Sequence, residues 1–173
     1  MKTLIVVDMQ NDFIDGALGT QEAVAIVPNV QKKIAEYKDR GDRIVFTRDT
    51  HYDDYLDTNE GKHLPVKHCI YDTNGWKISN ELDTTNAIFV NKDTFGYNDW
   101  PEILGRCYSR NDSIELVGLC TDICVVSNAL ILKAMYPELD ITVDANCCAG
   151  VTPESHNAAL LTMKMCQINV IGE

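Results

Sequence analysis

Cys124 is placed where a reactive thiol is expected in an α/β protein. It follows an apolar, strand-like run at residues 113–118 and lies in the first turn of a helix predicted from residue 122 to about 136. Thr121 or Asp122 can cap that helix. Free backbone N–H groups and the helix dipole in a first turn stabilise a thiolate. A buried structural cysteine is the alternative that this local pattern leaves open.

An acid and an ammonium group are found at two other strand ends. Asp8 follows the apolar run at residues 3–7, and Lys92 follows the run at residues 87–91. Open α/β sheets bind their ligands along the edge formed by the carboxyl ends of the strands. A base, a cation and the Cys124 thiol on that edge predict nucleophilic catalysis, although a single charged residue there would be an ordinary loop charge.

A long aperiodic segment, residues 49–83, holds three of the four histidines. Asp49 and His51 lie two residues apart, so their side chains share one face of an extended segment. Glu60 and His68 follow downstream. These oxygen and nitrogen donors form a set suited to Zn²⁺, Mn²⁺ or Fe²⁺. An ordinary hydrogen-bonded loop is the alternative.

Strands and helices alternate along the chain, and the strands are continuous apolar runs. This pattern predicts an α/β fold with three α/β/α layers and a doubly wound, mostly parallel six-stranded sheet in a single domain, residues 1–173. The predicted strands are 3–7, 43–47, 87–91, 113–118, 140–144 and 168–171, and the predicted helices are 28–40, 101–107, 122–136 and 152–165.

Composition limits the partners of this protein. A formal net charge of −11 argues against nucleic acid or a membrane as a partner, because both bind basic surfaces. The seven cysteines are odd in number and scattered, and the sequence begins without a secretory signal. We therefore expect reduced thiols and a cytoplasmic location. We also expect a homo-oligomer.

Four motifs occur in an order that resembles the isochorismatase-like cysteine hydrolases, and among them most closely the nicotinamidases. They are VDMQNDF at 7–13, TRDTH at 47–51, NK at 91–92 and GLCTDICV at 118–125. The resemblance covers nearly the whole chain. It implies an isochorismatase-like, Rossmann-like fold and hydrolysis of a small-molecule amide.

The resemblance also implies the catalytic roles. Asp8 would be the general base, Cys124 the nucleophile that forms a thioester, and Lys92 the cation that holds the thiolate and orients the base. The N–H groups of Cys120 and Cys124 would form the oxyanion hole, beside a cis peptide bond between Leu119 and Cys120. Cys120 is the rival nucleophile, but it precedes the helix, so Cys124 is preferred.

Nicotinamidases carry a metal at the position of the histidine loop. Asp49, His51 and His68 match that ligand set, and zinc is expected before manganese or iron. The second histidine of the commoner pattern is absent. Glu60 fits the variant in which a glutamate replaces it, and Asp57 also stands near that position.

The metal would bind the ring nitrogen of a pyridine substrate and hold its carboxamide against the thiol. Four side chains are candidates to contact that substrate, although each would also suit the core: Phe13, Leu64, Phe95 and Tyr97. Nicotinamidase is therefore the expected activity. The alternatives are an amidase for ureido, carbamoyl or biuret substrates, which usually lacks the metal, an isochorismatase, and a binding protein with a vestigial site.

Overall fold

Six parallel strands form one sheet in the order β3-β2-β1-β4-β5-β6. The computed structural model describes residues 1–106, 109 and 112–173. The strands are β1 (Lys2–Val7), β2 (Arg43–Asp49), β3 (Ile88–Lys92), β4 (Ser113–Leu119), β5 (Asp140–Ala149) and β6 (Asn169–Ile171). The predicted sheet is confirmed.

The sheet is doubly wound about β1. From β1 the chain adds β2 and β3 on one side, then returns to add β4, β5 and β6 on the other. The gap between β1 and β4 is therefore the topological switch point, where open α/β sheets bind their ligands. Asp8 is the first residue after β1 and Cys120 is the first residue after β4, so both lie at this point.

Helices cover both faces of the sheet. They are α1 (Asn11–Ile14), α2 (Gln21–Asp39), α3 (Asn59–His63), α4 (Trp100–Leu104), α5 (Val126–Met135) and α6 (Pro153–Met165), with a 3₁₀ turn at Tyr55–Asp57 and a π turn at Thr121–Val125. Within residues 1–106, 109 and 112–173, no helix has the length and apolar character needed to cross a membrane.

Strand β1 is buried on both faces because its side chains alternate between two hydrophobic layers. Leu4 and Val6 pack with α2, whereas Ile5 and Val7 pack with α5 and α6. Each of these four side chains is fully buried. Burial of such a side chain contributes roughly 1.5–3 kcal/mol, so β1 is held firmly and its end is a rigid mount for Asp8.

The main differences from the predicted helix boundaries concern α2, α4 and α5, and α5 begins at Val126, after the π turn, instead of at residue 122. Helix α2 begins at Gln21, not at Pro28, because the Thr20 side chain accepts a hydrogen bond from the N–H of Ala23 and caps the helix there. Pro28 lies inside the helix, and apolar packing of the first two turns outweighs the hydrogen bond it removes. Helix α4 ends at Leu104; the predicted end, residue 107, lies outside the described residues.

Candidate active site and metal centre

Asp8, Lys92 and Cys124 meet in one buried cluster. The Nζ atom of Lys92 lies 2.7 Å from Oδ2 of Asp8 and 3.5 Å from Sγ of Cys124. Asp8 is 0% exposed, Lys92 is 3% exposed and Cys124 is 5% exposed. The structure therefore brings together the three side chains for which the sequence predicted catalytic roles.

Asp8 is held in place by the neighbouring strand. The Thr47 hydroxyl donates to Oδ1 of Asp8 at 2.6 Å, and the Asp8 N–H donates to that same hydroxyl oxygen at 3.2 Å. Asp8 itself has a φ of 47°, which is uncommon outside glycine and orients its side chain away from the strand direction. On β4, Gly118 has a φ of 116°, and a Cβ there would lie 2.1 Å from the Val7 carbonyl oxygen. Only glycine allows the two strands to approach this closely.

Cys124 lies in the π turn, not in a conventional first helical turn. The Cys120 carbonyl accepts from the N–H of Val125 at 3.0 Å, and the bond between Leu119 and Cys120 is cis. The prediction that Thr121 or Asp122 caps the helix is wrong, because both side chains have distant partners.

The distant partners tie the π turn to the start of helix α6. The Thr121 hydroxyl is 2.8 Å from Nδ1 of His156, and the Asp122 carboxylate accepts from the Val151 N–H at 3.1 Å. From the other side, the Asn128 amide donates to the Cys124 carbonyl at 2.8 Å. Three hydrogen bonds, two from the start of α6 and one from α5, therefore hold the turn that carries Cys124.

Burial is the largest single influence on the pKa values of Cys124, Asp8 and Lys92. Burial raises the pKa of the Cys124 thiol well above its usual value, although the Lys92 ammonium opposes this shift. Burial also raises the pKa of Asp8, again against Lys92. Burial alone would lower the pKa of Lys92, but the acidic groups around its ammonium, Asp8 foremost, together raise this pKa well above its usual value. The raised pKa of Cys124 favours its protonated thiol, so attack by the sulfur would require a base.

A second cluster lies beside the first. One donor atom from each of Asp49, His51, Glu60 and His68 lies within 4.8 Å of all the others. The closest pairs, measured between Nε2 and carboxylate oxygen, are His51–Asp49 at 2.9 Å, His51–Glu60 at 3.5 Å, His68–Asp49 at 3.6 Å and His68–Glu60 at 3.7 Å. A tetrahedral zinc ion separates its ligand atoms by roughly 3.3–3.6 Å, so the four residues fit a divalent metal.

The hydrogen bonds around these donors support the same conclusion. Nδ1 of His68 is 2.8 Å from the Val66 carbonyl, which accepts its proton and leaves Nε2 free for a metal. Nε2 of His51 is buried and has no partner of hydrogen-bond geometry. Burial alone would raise the pKa of Asp49, but the neighbouring imidazoles of His51 and His68 and the Lys92 ammonium hold this pKa below its usual range. Glu60 belongs to the group, whereas Asp57 is exposed at the end of the 3₁₀ turn.

A cavity of about 1020 Å³ joins the two clusters. Cys120, Cys124 and the four predicted metal ligands all line it. Of the four predicted substrate contacts, Phe13, Leu64 and Phe95 also line this cavity. Tyr97 is not among the described lining residues; its ring packs edge-on against Trp100, with centroids 5.2 Å apart.

Three polar residues without a predicted role form hydrogen bonds to residues of the site. Thr47, Gln10 and Asn128 are each fully buried, and each bonds to a catalytic or candidate ligand residue. The available signal was a polar residue inside an otherwise buried run, because such groups are retained only where they are hydrogen-bonded.

The architecture agrees with comparisons to known proteins. The isochorismatase domain model matches residues 2–172. The chain belongs to the isochorismatase domain family. A nicotinamidase/pyrazinamidase of Mycobacterium tuberculosis is 27% identical over 186 residues, which cover 99% of this chain and 98% of the relative. A nicotinamidase of Schizosaccharomyces pombe is 24% identical, with 98% of this chain and 92% of the relative covered.

A solved structure gives the same relationship. The pyrazinamidase of Pyrococcus horikoshii in complex with zinc is 28% identical, and it superposes with a TM-score of 0.85 over 99% of each chain. Membership of the isochorismatase domain family, with nicotinamidases among its relatives, confirms the resemblance drawn from the four motifs.

Proposed function

We propose that this protein is a metal-dependent cysteine amidohydrolase that converts nicotinamide and water to nicotinic acid and ammonia. One observation carries the proposal: the Cys124 thiol and the four-residue metal group open into the same cavity. A thiol alone would attack many acyl compounds. A metal held by the four neighbouring residues would select substrates that carry an atom able to bind the metal, and it would position them beside the thiol. The nicotinamidase relatives support this choice.

The reaction uses Asp8 twice as a proton carrier. Asp8 accepts the thiol proton as Sγ of Cys124 attacks the amide carbonyl carbon. The C–N bond then breaks, Asp8 gives its proton to the departing nitrogen, and ammonia leaves a thioester on Cys124. Asp8 next takes a proton from the water that attacks the thioester. The acid is released, and that proton returns to the thiol.

Lys92 assists this proton transfer through its charge. Its ammonium stays charged and within 2.7 Å of the Asp8 carboxylate, so it orients the base and stabilises the thiolate as it forms. The backbone N–H groups of Cys120 and Cys124 are the proposed donors to the developing oxyanion. Burial raises the pKa of the Cys120 thiol to about 12, and that thiol is not the proposed nucleophile.

Asp49, His51, Glu60 and His68 would hold the metal. When bound, a divalent metal supplies a Lewis acid to which the ring nitrogen of a pyridine can bind. Zinc is the proposed ion because a zinc complex of a related pyrazinamidase exists and because the donor set suits it, with manganese or iron as alternatives. Phe13 and Leu64 line the same cavity and would contact the flat ring.

A panel of amides tests this function. Ammonia release is measured for nicotinamide, pyrazinamide, benzamide and a carbamoyl amino acid, with and without a metal chelator. We expect turnover of the first two, loss of that turnover with chelator, and poor use of benzamide, which lacks a ring nitrogen. Activity confined to the carbamoyl substrate and indifferent to chelator would favour the ureido or carbamoyl amidases instead.

The vestigial-site alternative is tested by the thiol itself. A folded protein that releases no ammonia from any amide and whose Cys124 does not react with iodoacetamide would be a binding protein. The cytoplasmic location and the homo-oligomeric state stay predictions, to be measured by cell fractionation and by light scattering of the purified chain.

A further inference from the structure

The Gln10 side chain forms hydrogen bonds with both backbone polar groups of Asp49, one of the candidate metal ligands. Its Oε1 accepts from the Asp49 N–H at 2.7 Å, and its Nε2 donates to the Asp49 carbonyl at 2.9 Å. The same Nε2 also donates to the Trp76 carbonyl at 2.8 Å. Gln10 is fully buried, so water cannot replace these bonds.

These hydrogen bonds control the orientation of the Asp49 carboxylate. Asp49 is the last residue of β2 and lies beyond the β1–β2 register, which ends at Val6 and Phe46, so the Gln10 amide bonds the Asp49 backbone on the side where β1 no longer pairs. Its Oδ2 faces His51 and His68, and its Oδ1 faces Lys92. A rotation of the Asp49 backbone would move both oxygens, so both contacts depend on the backbone being fixed.

Gln10 also belongs to the segment that carries the proposed base. It lies two residues after Asp8, and its N–H donates to the Asp8 carbonyl at 2.7 Å. One short turn after β1 therefore sets the position of Asp8 through the main chain and that of Asp49 through a side chain. This turn therefore sets the distance between the proposed base and the candidate metal ligand.

We propose that Gln10 is a positioning residue that sets the metal affinity of the site by holding the Asp49 backbone; this inference rests on the proposed metal-dependent function. Groups that orient metal ligands from behind typically change metal affinity by about 10- to 100-fold when removed. Gln10 would not contact the metal itself, since both ends of its amide are occupied by backbone groups.

The test compares two buried amides of the same kind. Q10M keeps the side-chain length and removes all three bonds. Q10E keeps an acceptor for the Asp49 N–H and is the conservative variant. N128L is the matched control, because Asn128 is equally buried and its amide also joins backbone groups, those of Tyr97 and Cys124, on the other side of the site. Zinc dissociation constants are measured on demetallated proteins by competition with a chromogenic chelator.

We expect Q10M to raise the zinc dissociation constant by about 10- to 100-fold, and Q10E to raise it less. N128L should leave it within about twofold of the parent, although it loses comparable stability. A Q10M constant within twofold of the parent would overturn the proposal. So would an equal loss of affinity in N128L, because a generally loosened site would then explain both.

Folding failure and failure of the metal site are both distinguishable outcomes. If Q10M does not fold, the same comparison uses Q10E, together with the rise in Tm that zinc produces in each folded protein. A smaller rise in Q10E than in N128L supports the proposal, and an equal rise overturns it. A parent protein that binds no zinc would instead refute the proposed metal centre.

Discussion

Asp49 and Lys92 are directly paired residues at the ends of two neighbouring parallel strands, and their side chains meet. Their Cα atoms are partners in the β2–β3 register, and Nζ of Lys92 lies 3.3 Å from Oδ1 of Asp49. The other carboxylate oxygen faces His51 at 2.9 Å. A single carboxylate therefore links the candidate metal centre to the catalytic cluster. The Lys92 ammonium serves two buried acids, Asp49 and Asp8.

Replacing Lys92 by Met should both destabilise the protein and slow the thiol. Loss of one partner from a buried ion pair costs about 3–5 kcal/mol, and here two carboxylates lose their cation. Lys92 is also the group that lowers the pKa of Cys124, so that pKa should rise further. The measurements are urea unfolding and the pH profile of iodoacetamide alkylation.

Lys164→Met is the control for this variant. Lys164 pairs with Glu173, and both side chains are well exposed, so solvent screens their charges. Both the unfolding transition and the alkylation profile should stay close to those of the parent. An unchanged alkylation profile in the Lys92 variant would mean that its charge does not act on Cys124.

The two cysteines of the π-turn region should differ sharply when each is replaced by Ala. Cys124→Ala should lower kcat by about 10³-fold or more, because the thioester cannot form. Cys120→Ala should keep most of the activity, since alanine retains the backbone N–H proposed for the oxyanion hole. Turnover and thermal unfolding are measured together. A folded Cys124 variant with more than a few per cent of parent activity would refute covalent catalysis by this residue.

Two histidines that line the same cavity should differ in their effect on metal content. His68→Ala removes a buried donor whose Nε2 faces Asp49 and Glu60, so the purified variant should lack the roughly one zinc per chain expected in the parent. His63→Ala should keep that zinc, because His63 is exposed and bonds the Asn59 carbonyl through Nδ1. Elemental analysis gives the answer. Zinc retained by the His68 variant, or lost by the His63 variant, would contradict the assignment.

The residues that converge on the site could be predicted because each ends a continuous apolar run. Such runs are buried parallel strands, and parallel strands bring their carboxyl ends to one edge. Asp8 and Lys92 follow from that rule, whereas the choice of Cys124 over Cys120 also needed its position after the strand and the family resemblance. Asp49 and Lys92 turned out to be the last residues of their strands, which aligns them in register.

Features that depend on partners far along the chain could not be predicted. Thr121 and Asp122 look like helix caps in the sequence, but His156 and Val151, about 30 residues away, bind them instead. The protonation of Cys124 depends on how completely the fold excludes water, which a local pattern does not report. Both differences arise from tertiary contacts that override local preference.

His156 provides a pH-dependent test of the brace on the π turn. Burial lowers the pKa of His156 below its usual value, although Asp122 and Glu173 oppose the shift. The neutral ring can accept the Thr121 hydroxyl at Nδ1, and a protonated ring cannot. In the unfolded chain the histidine takes up a proton near pH ~6.5, before the folded protein does.

His156→Gln should therefore flatten the acid limb of the stability curve. Because the unfolded state binds more protons in this range, the stability of the parent falls as the pH drops through about 6.5 towards the folded pKa. Glutamine does not titrate, so the variant lacks this part of the loss. Unfolding free energies from urea titrations between pH 7.5 and 5.0 give the comparison, and the other histidines contribute equally to both proteins. Parallel curves for parent and variant would mean that the folded and unfolded pKa values of His156 are the same.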